Sequence, residues 1–121
     1  MKHILNVEND NINAFLTERM LKGLFIVHTA EDDQQMYQIL SQHPISLILM
    51  DIHLGEDKID GTELLRELRR NADWKSLPVV AVTAYAMPGD EKRFIGMGFD
   101  AYLSKPFQQK DLQRLVQQMA K

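Results

Sequence analysis

Carboxylates, a hydroxyl and an ammonium group each follow directly on a short apolar run in this sequence. Glu8, Asn9 and Asp10 come after the run 4–7, and Asp51 after the run 45–50. Thr83 and Ala84 come after 78–82, and Ser104, Lys105 and Pro106 after 101–103. As a set they suit the handling of a phosphoryl group with a hard cation. A carboxylate such as Asp51 attacks phosphorus to give an acyl phosphate. Mg²⁺ takes near-octahedral oxygen ligands, one or two carboxylates together with waters and substrate oxygens. The transition state spreads negative charge over its equatorial oxygens, which a cation and a flexible point charge such as Lys105 neutralise. Thr83 offers a hydroxyl donor to a phosphoryl oxygen. None is specific singly, since a lone lysine is usually solvated and an asparagine such as Asn9 often only makes a turn. Their common placement after four different apolar runs carries the argument.

The elements that must position these groups alternate five times. Runs 4–7, 24–28, 45–50, 78–82 and 101–103 read as strands, and the third and fourth are nearly continuous in apolar residues, as in parallel strands covered on both faces. Between them lie helical patterns. Ile12, Phe15, Leu16 and Met20 recur at helical spacing behind Asp10 or Asn11 as N-cap. A second helix runs from about Asp32 to Ser41 with Met36, Ile39 and Leu40 inward. A third follows Gly61 with Leu64, Leu65 and Leu68. A fourth begins near Pro88 and ends near Gly96 or Gly98. The last holds Leu112, Leu115, Val116 and Met119 at i, i+3, i+4, i+7. This alternation predicts an α/β fold, a parallel sheet with helices on both faces in one of a few doubly wound orders. Such sheets bind ligands beyond the carboxyl ends of their strands, where the polar residues stand.

Bulk properties narrow the classes. The chain has 121 residues, enough for one domain over 1–121, and because its last helical pattern runs to Lys121 a single domain without an output domain is expected. The formal charge of −3 argues against direct nucleic-acid binding, which usually needs a basic face, and Arg66, Arg69 and Arg70 read as a solvated helix face. Without cysteine there are no disulfides, thiolate metal sites or cysteine nucleophiles. No run approaches the roughly 20 apolar residues of a membrane span and no signal-peptide pattern opens the chain, so no membrane insertion and a cytoplasmic location are expected. Four histidines, His3, His28, His43 and His53, lack a metal-ligand spacing such as His-Glu-x-x-His, and their default role is structural.

The segments ILNVENDNIN (4–13), LILMDIHL (47–54), DGTELL (60–65), PVVAVTAYA (78–86) and DAYLSKPF (100–107), in this order and spacing, resemble bacterial response regulator receiver domains over essentially the whole chain. The resemblance implies a flavodoxin-like fold with strand order 2-1-3-4-5. It implies Asp51 as phosphoacceptor, Glu8 as the outer acidic residue of a Mg²⁺ pocket, and His53 as a backbone-carbonyl ligand. Thr83 would close onto the phosphoryl group with Ala84 beside it, Lys105 would pair with that group, Pro106 would be the cis proline, and Tyr102 the aromatic that swings inward. His53 and Tyr85 lie where receivers tune the lifetime of the phosphoryl group. The implied partners are a histidine kinase or histidine phosphotransfer protein and a downstream protein target. The chain would then be a switch rather than an enzyme, working either alone or as part of a hybrid kinase.

Two departures stand out. Receivers usually carry aspartate as a direct metal ligand where this chain has Asn9, which keeps a ligating oxygen but removes a charge; weaker Mg²⁺ binding follows. The loop DIHLGEDKIDG (51–61) is two residues longer than the usual pattern, with Gly55 in place of proline and Glu56, Asp57 and Lys58 at the mouth of the site. Asn9 therefore motivates an alternative, a pseudo-receiver that binds protein without turning over phosphate. An aspartyl-phosphate phosphatase is a further alternative, opposed by His53 standing where such enzymes place a second aspartate.

Overall fold

The computed structural model describes residues 1–54, 60–84 and 87–121. Five strands alternate with five helices: β1 (His3–Val7), α1 (Asn11–Leu21), β2 (Ile26–Ala30), α2 (Asp33–Gln42), β3 (Ile45–Asp51), α3 (Gly61–Arg70), β4 (Val79–Thr83), α4 (Asp90–Met97), β5 (Ala101–Ser104) and α5 (Gln109–Met119). The sheet is parallel throughout in the order β2-β1-β3-β4-β5, the doubly wound order expected from the resemblance. β3 lies at its centre, and the β1–β3 boundary is where strand order reverses.

Alternation along each strand divides the core in two. Leu5, Val7, Ile48, Met50, Val79 and Ala81 face α2, α3 and α4, where Met36, Leu40, Leu64, Leu65, Leu68 and Phe94 close over them. Ile4, Leu47, Leu49, Val80 and Val82 face α1 and α5, under Leu21, Leu112 and Val116. Burial on both faces is why the strands read as unbroken apolar runs.

Two element boundaries are corrected. β2 begins at Ile26, not at residue 24, because Gly23 takes a positive φ of 86° and the N–H groups of Leu24 and Phe25 both donate back to the Leu21 carbonyl. Those residues are spent in the turn, and Ile26 is the first to pair with β1, opposite His3. α4 begins at Asp90 rather than Pro88. Gly89, at φ 86°, is its N-cap, and the Met87 N–H donates to the Asp90 carboxylate. At its other end Gly98, at φ 115°, closes a Schellman-type turn with Phe99 N–H donating to the Phe94 carbonyl.

In α1 the cap is Asp10, one of the two residues expected there, accepting from the N–H groups of Ile12 and Asn13. The rotation so set buries Ala14, Thr17 and Leu21, and leaves Ile12, Phe15 and Leu16 exposed at 72%, 58% and 43%. The most apolar stripe of this helix faces away from the sheet. Arg69 likewise departs from a solvated face. Its guanidinium donates to the carbonyls of Lys75, Leu77 and Gly98 and to the Asp100 carboxylate, tying the end of α3 to the entries of β4 and β5.

Candidate functional site

The carboxyl ends of β1, β3, β4 and β5 bring together residues far apart in sequence. Asp51, the last residue of β3, is 7% exposed, and Glu8, just past β1, is 4% exposed. The Lys105 ammonium, following β5, donates to Glu8 Oε1 at 2.6 Å and stands 3.7 Å from Asp51 Oδ2. The second Glu8 oxygen accepts from the Asp10 N–H at 3.3 Å, and Asp51 Oδ1 accepts from the His53 N–H at 3.3 Å. The Asp51 and Glu8 carboxyls flank the same ammonium.

The backbone explains this convergence. The Ile52 N–H donates to the Val82 carbonyl and the Gly61 N–H to the Ile52 carbonyl, so the chain leaving β3 is clamped between β4 and the start of α3. A side chain at Gly61 would put its Cβ 2.6 Å from the Asp51 carbonyl oxygen, so only glycine lets α3 start this close to the carboxylate. Asp60 caps α3 by accepting from Thr62 and Glu63. The Lys105 N–H donates to the Thr83 carbonyl at 2.8 Å, which holds the ammonium stem against the end of β4. The Lys105–Pro106 peptide is cis, matching the expectation for Pro106.

Burial, the hydrogen bond to Glu8 and the Glu8 charge push the Asp51 carboxyl up to about 7, against the opposing pull of Lys105 and the His53 N–H. Two carboxylates thus share one buried corner, and among the described residues a single ammonium reaches both. This is a site short of positive charge with hard oxygen donors. Its donor chemistry fits a small divalent cation.

The other expected site residues are placed as follows. Thr83 ends β4 with its side chain buried, and Ala84 is exposed beyond it. Tyr102, on β5, is half-buried and stacks on Phe94 of α4 with ring centroids 6.0 Å apart. His53 is exposed. Asn9 is exposed and donates its amide N–H to the Leu54 carbonyl, linking the loop after β1 to the loop after β3. Tyr85, Gly55, Glu56, Asp57 and Lys58 lie outside the described residues.

Two features escaped the sequence reading. The apolar α1 face borders a groove of about 430 Å³ lined by Leu16, Met20, Lys105, Pro106 and Phe107, so an exposed apolar surface adjoins the carboxylate corner. Its signal was present as the Ile12, Phe15 and Leu16 spacing, but the same spacing describes a buried stripe equally well. Separately, His3, His28 and His43 meet on the sheet away from this corner, and their spacing in sequence carried no such signal.

A family model for the response regulator receiver domain matches residues 4–117. Among curated proteins, the response regulator Rre1 of Synechocystis is 34% identical over 91% of this chain and 46% of its own length. The polar-differentiation response regulator DivK of Brucella ovis is 36% identical over 87% of this chain and 85% of its own. The chain thus spans less than half of Rre1. Among solved structures, the Mn²⁺-bound form of the response regulator Rcp1 is 30% identical with a TM-score of 0.75, covering 98% of this chain and 91% of that one. A CheY-like receiver domain from Methanospirillum hungatei is 26% identical with a TM-score of 0.82, over 98% and 92%.

Proposed function

This chain belongs to the response regulator receiver family, and on that premise we propose that it accepts a phosphoryl group on Asp51 from a phosphohistidine of a histidine kinase or phosphotransfer protein. The observation that carries the reading is the meeting of Glu8, Asp51 and Lys105 at the carboxyl ends of β1, β3 and β5. An Asp51 carboxylate oxygen forms the bond to phosphorus. The phosphorus–nitrogen bond of the donor breaks, and its electron pair returns to the imidazole, which takes a proton from solvent. Glu8 and Asp51, with the Asn9 side-chain oxygen and the His53 carbonyl, are the groups that would hold Mg²⁺. When bound, the ion supplies Lewis-acid stabilisation of the phosphoryl oxygens; Mn²⁺ in Rcp1 is in keeping with such a pocket. Lys105 neutralises charge on the transferred group.

Phosphorylation adds a near-dianion to a corner that already holds two carboxylates. Thr83 and Lys105 are drawn to it, and both are coupled through the Lys105 N–H to Thr83 carbonyl bond. Tyr102, stacked on Phe94, links that movement to α4. The face formed by α4, β5 and α5 is the readout for a downstream protein. The exposed Ile12, Phe15 and Leu16, beside the groove that reaches Lys105, are the surface on which a phosphodonor docks. No described helix is long and apolar enough to cross a membrane, and we place the protein in the cytoplasm, where phosphohistidine donors act. The switch lies within the chain and needs no turnover of a substrate.

The direct test is treatment with acetyl phosphate and Mg²⁺ followed by peptide mass spectrometry, with a phosphoryl adduct on Asp51 as the expected result. A second reading, a protein-binding pseudo-receiver, is favoured by Asn9, whose amide is engaged with Leu54. It wins if no adduct forms under conditions that label an ordinary receiver.

Asn9 also sets the metal affinity. A carboxylate at this position adds charge to the pocket but cannot donate to the Leu54 carbonyl. Asn9→Asp therefore raises Mg²⁺ affinity by roughly tenfold or more, about 1.4 kcal/mol, measured calorimetrically. The same change lowers the stability of the metal-free protein by about 1 kcal/mol. Unchanged Mg²⁺ affinity would remove Asn9 from the metal-binding set.

A further inference from the structure

His3 is the first residue of β1, His28 the middle residue of β2, and His43 the residue that ends α2. In the β1–β2 register Leu5 lies opposite His28 and Ile26 opposite His3, so His3 and His28 are diagonal neighbours on one sheet face. His43 joins them because it is the C-cap of α2, where the backbone turns extended at φ −134° and ψ 147°, just before β3 enters the sheet beside β1. The ring centroids are 5.2 Å apart for His3 and His28, 4.0 Å for His28 and His43, and 5.6 Å for His3 and His43. Nδ1 of His3 is 2.9 Å from Nε2 of His28. One ring nitrogen from each of the three lies within 4.8 Å of the other two.

Two ring nitrogens at hydrogen-bond distance share one proton, and three clustered imidazoles disfavour three charges. Burial, then His43 and His3, hold the His28 imidazole below its ordinary value, and the neutral ring is the ligating form. In a tetrahedral site with metal–nitrogen distances of about 2.0–2.1 Å, ligand nitrogens stand about 3.3 Å apart. The His3–His28 nitrogens are within that spacing, and the rings, whose planes lie 3° and 20° apart in the His3–His28 and His28–His43 pairs, must turn about their side-chain bonds to aim three lone pairs at one ion.

We propose that His3, His28 and His43 form a binding site for a divalent transition-metal ion of the zinc class, held by three imidazole nitrogens with a fourth position open to water. Imidazole selects such ions over Mg²⁺, which prefers the carboxylate corner at the other end of the strands. The three rings are half-buried, so an ion reaches them from solvent. The ligands come from β1, β2 and the end of α2, elements assembled only in the folded chain, so the ion stabilises the fold.

The test uses the untagged chain, stripped of metal and kept in excess Mg²⁺ so that the carboxylate corner is taken. Titration with Co²⁺ should give a saturable visible absorption of four-coordinate type at one ion per chain, displaced by Zn²⁺. Zn²⁺ should also raise the midpoint of thermal unfolding. His43→Gln and His3→Gln, checked for folding by circular dichroism, should each bind Co²⁺ more weakly by over about a hundredfold, more than the loss of a group that only hydrogen-bonds to a ligand. Lys110→Gln, on α5 and outside both the cluster and the carboxylate corner, should bind Co²⁺ as the unaltered chain does. Absence of a saturable Co²⁺ signal in the unaltered chain, or equal binding by His43→Gln and His3→Gln, overturns the proposal.

Discussion

Asp51→Asn abolishes phosphoryl incorporation from acetyl phosphate, a loss of more than about a thousandfold in rate. An amide oxygen is a poor nucleophile, and among the described residues no neighbouring group substitutes for the lost carboxylate. Glu8 is bound at one oxygen by Lys105 and at the other by the Asp10 N–H. Asp10 and Asp60 are committed to capping α1 and α3. The amide keeps the size of the aspartate, so the fold and the clamp between β4 and Gly61 persist, and the loss reports the acceptor rather than unfolding. Mass spectrometry of intact protein with and without acetyl phosphate reads the result. An adduct that survives the substitution would place the acceptor elsewhere and remove Asp51 from the role proposed for it.

The same substitution stabilises the metal-free protein at alkaline pH. The Asp51 carboxyl is raised to about 7 in the folded state, first by burial and then by Glu8, whereas in the unfolded chain it titrates near 3.9. Between these values the folded state holds the proton more tightly. Unfolding then releases protons, and stability falls as pH rises from about 4 to about 7, levelling beyond it. Asparagine carries no such penalty. Because burying the replacing amide carries a desolvation cost of its own, the gain for Asp51→Asn at about pH 8 is on the order of 2 kcal/mol, less than the full shift implies. That is a rise of several degrees in unfolding midpoint, with little difference between the two proteins at about pH 4. Calorimetry in chelator across this range decides it. A wild-type curve that climbs with pH relative to the variant would mean that Lys105 outweighs Glu8 at Asp51, contrary to the buried-pair reading.

The carboxylate corner and the exposed apolar face of α1 were legible to different degrees. Asp51 stands out because a buried parallel strand ends in a carboxylate, and Lys105-Pro106 because a basic residue and a proline follow another strand. The inward sets of α3 and α5, Leu64 with Leu68 and Leu112 with Val116, follow from helical spacing alone. In α1 the same logic fails. Asp10 at the cap and the small Ala14 and Thr17 against the sheet determine its rotation, and the larger Ile12, Phe15 and Leu16 are left outside. Periodicity says that a stripe exists; it does not say whether the sheet or another molecule covers it.

Composition and pattern by themselves determined the number and kind of elements, their parallel arrangement and the end of the sheet where the polar residues gather, because burial on two faces and right-handed crossovers leave few alternatives. Resemblance in the motifs narrowed these to one strand order. Only the folded chain decided that Lys105 bridges Glu8 and Asp51, that Asn9 holds Leu54, that Arg69 ties α3 to β4 and β5, and that His3, His28 and His43 share one corner. Each of these depends on strand register and on where helices stop, and such contacts join residues tens of positions apart whose local sequence is under no constraint to announce them.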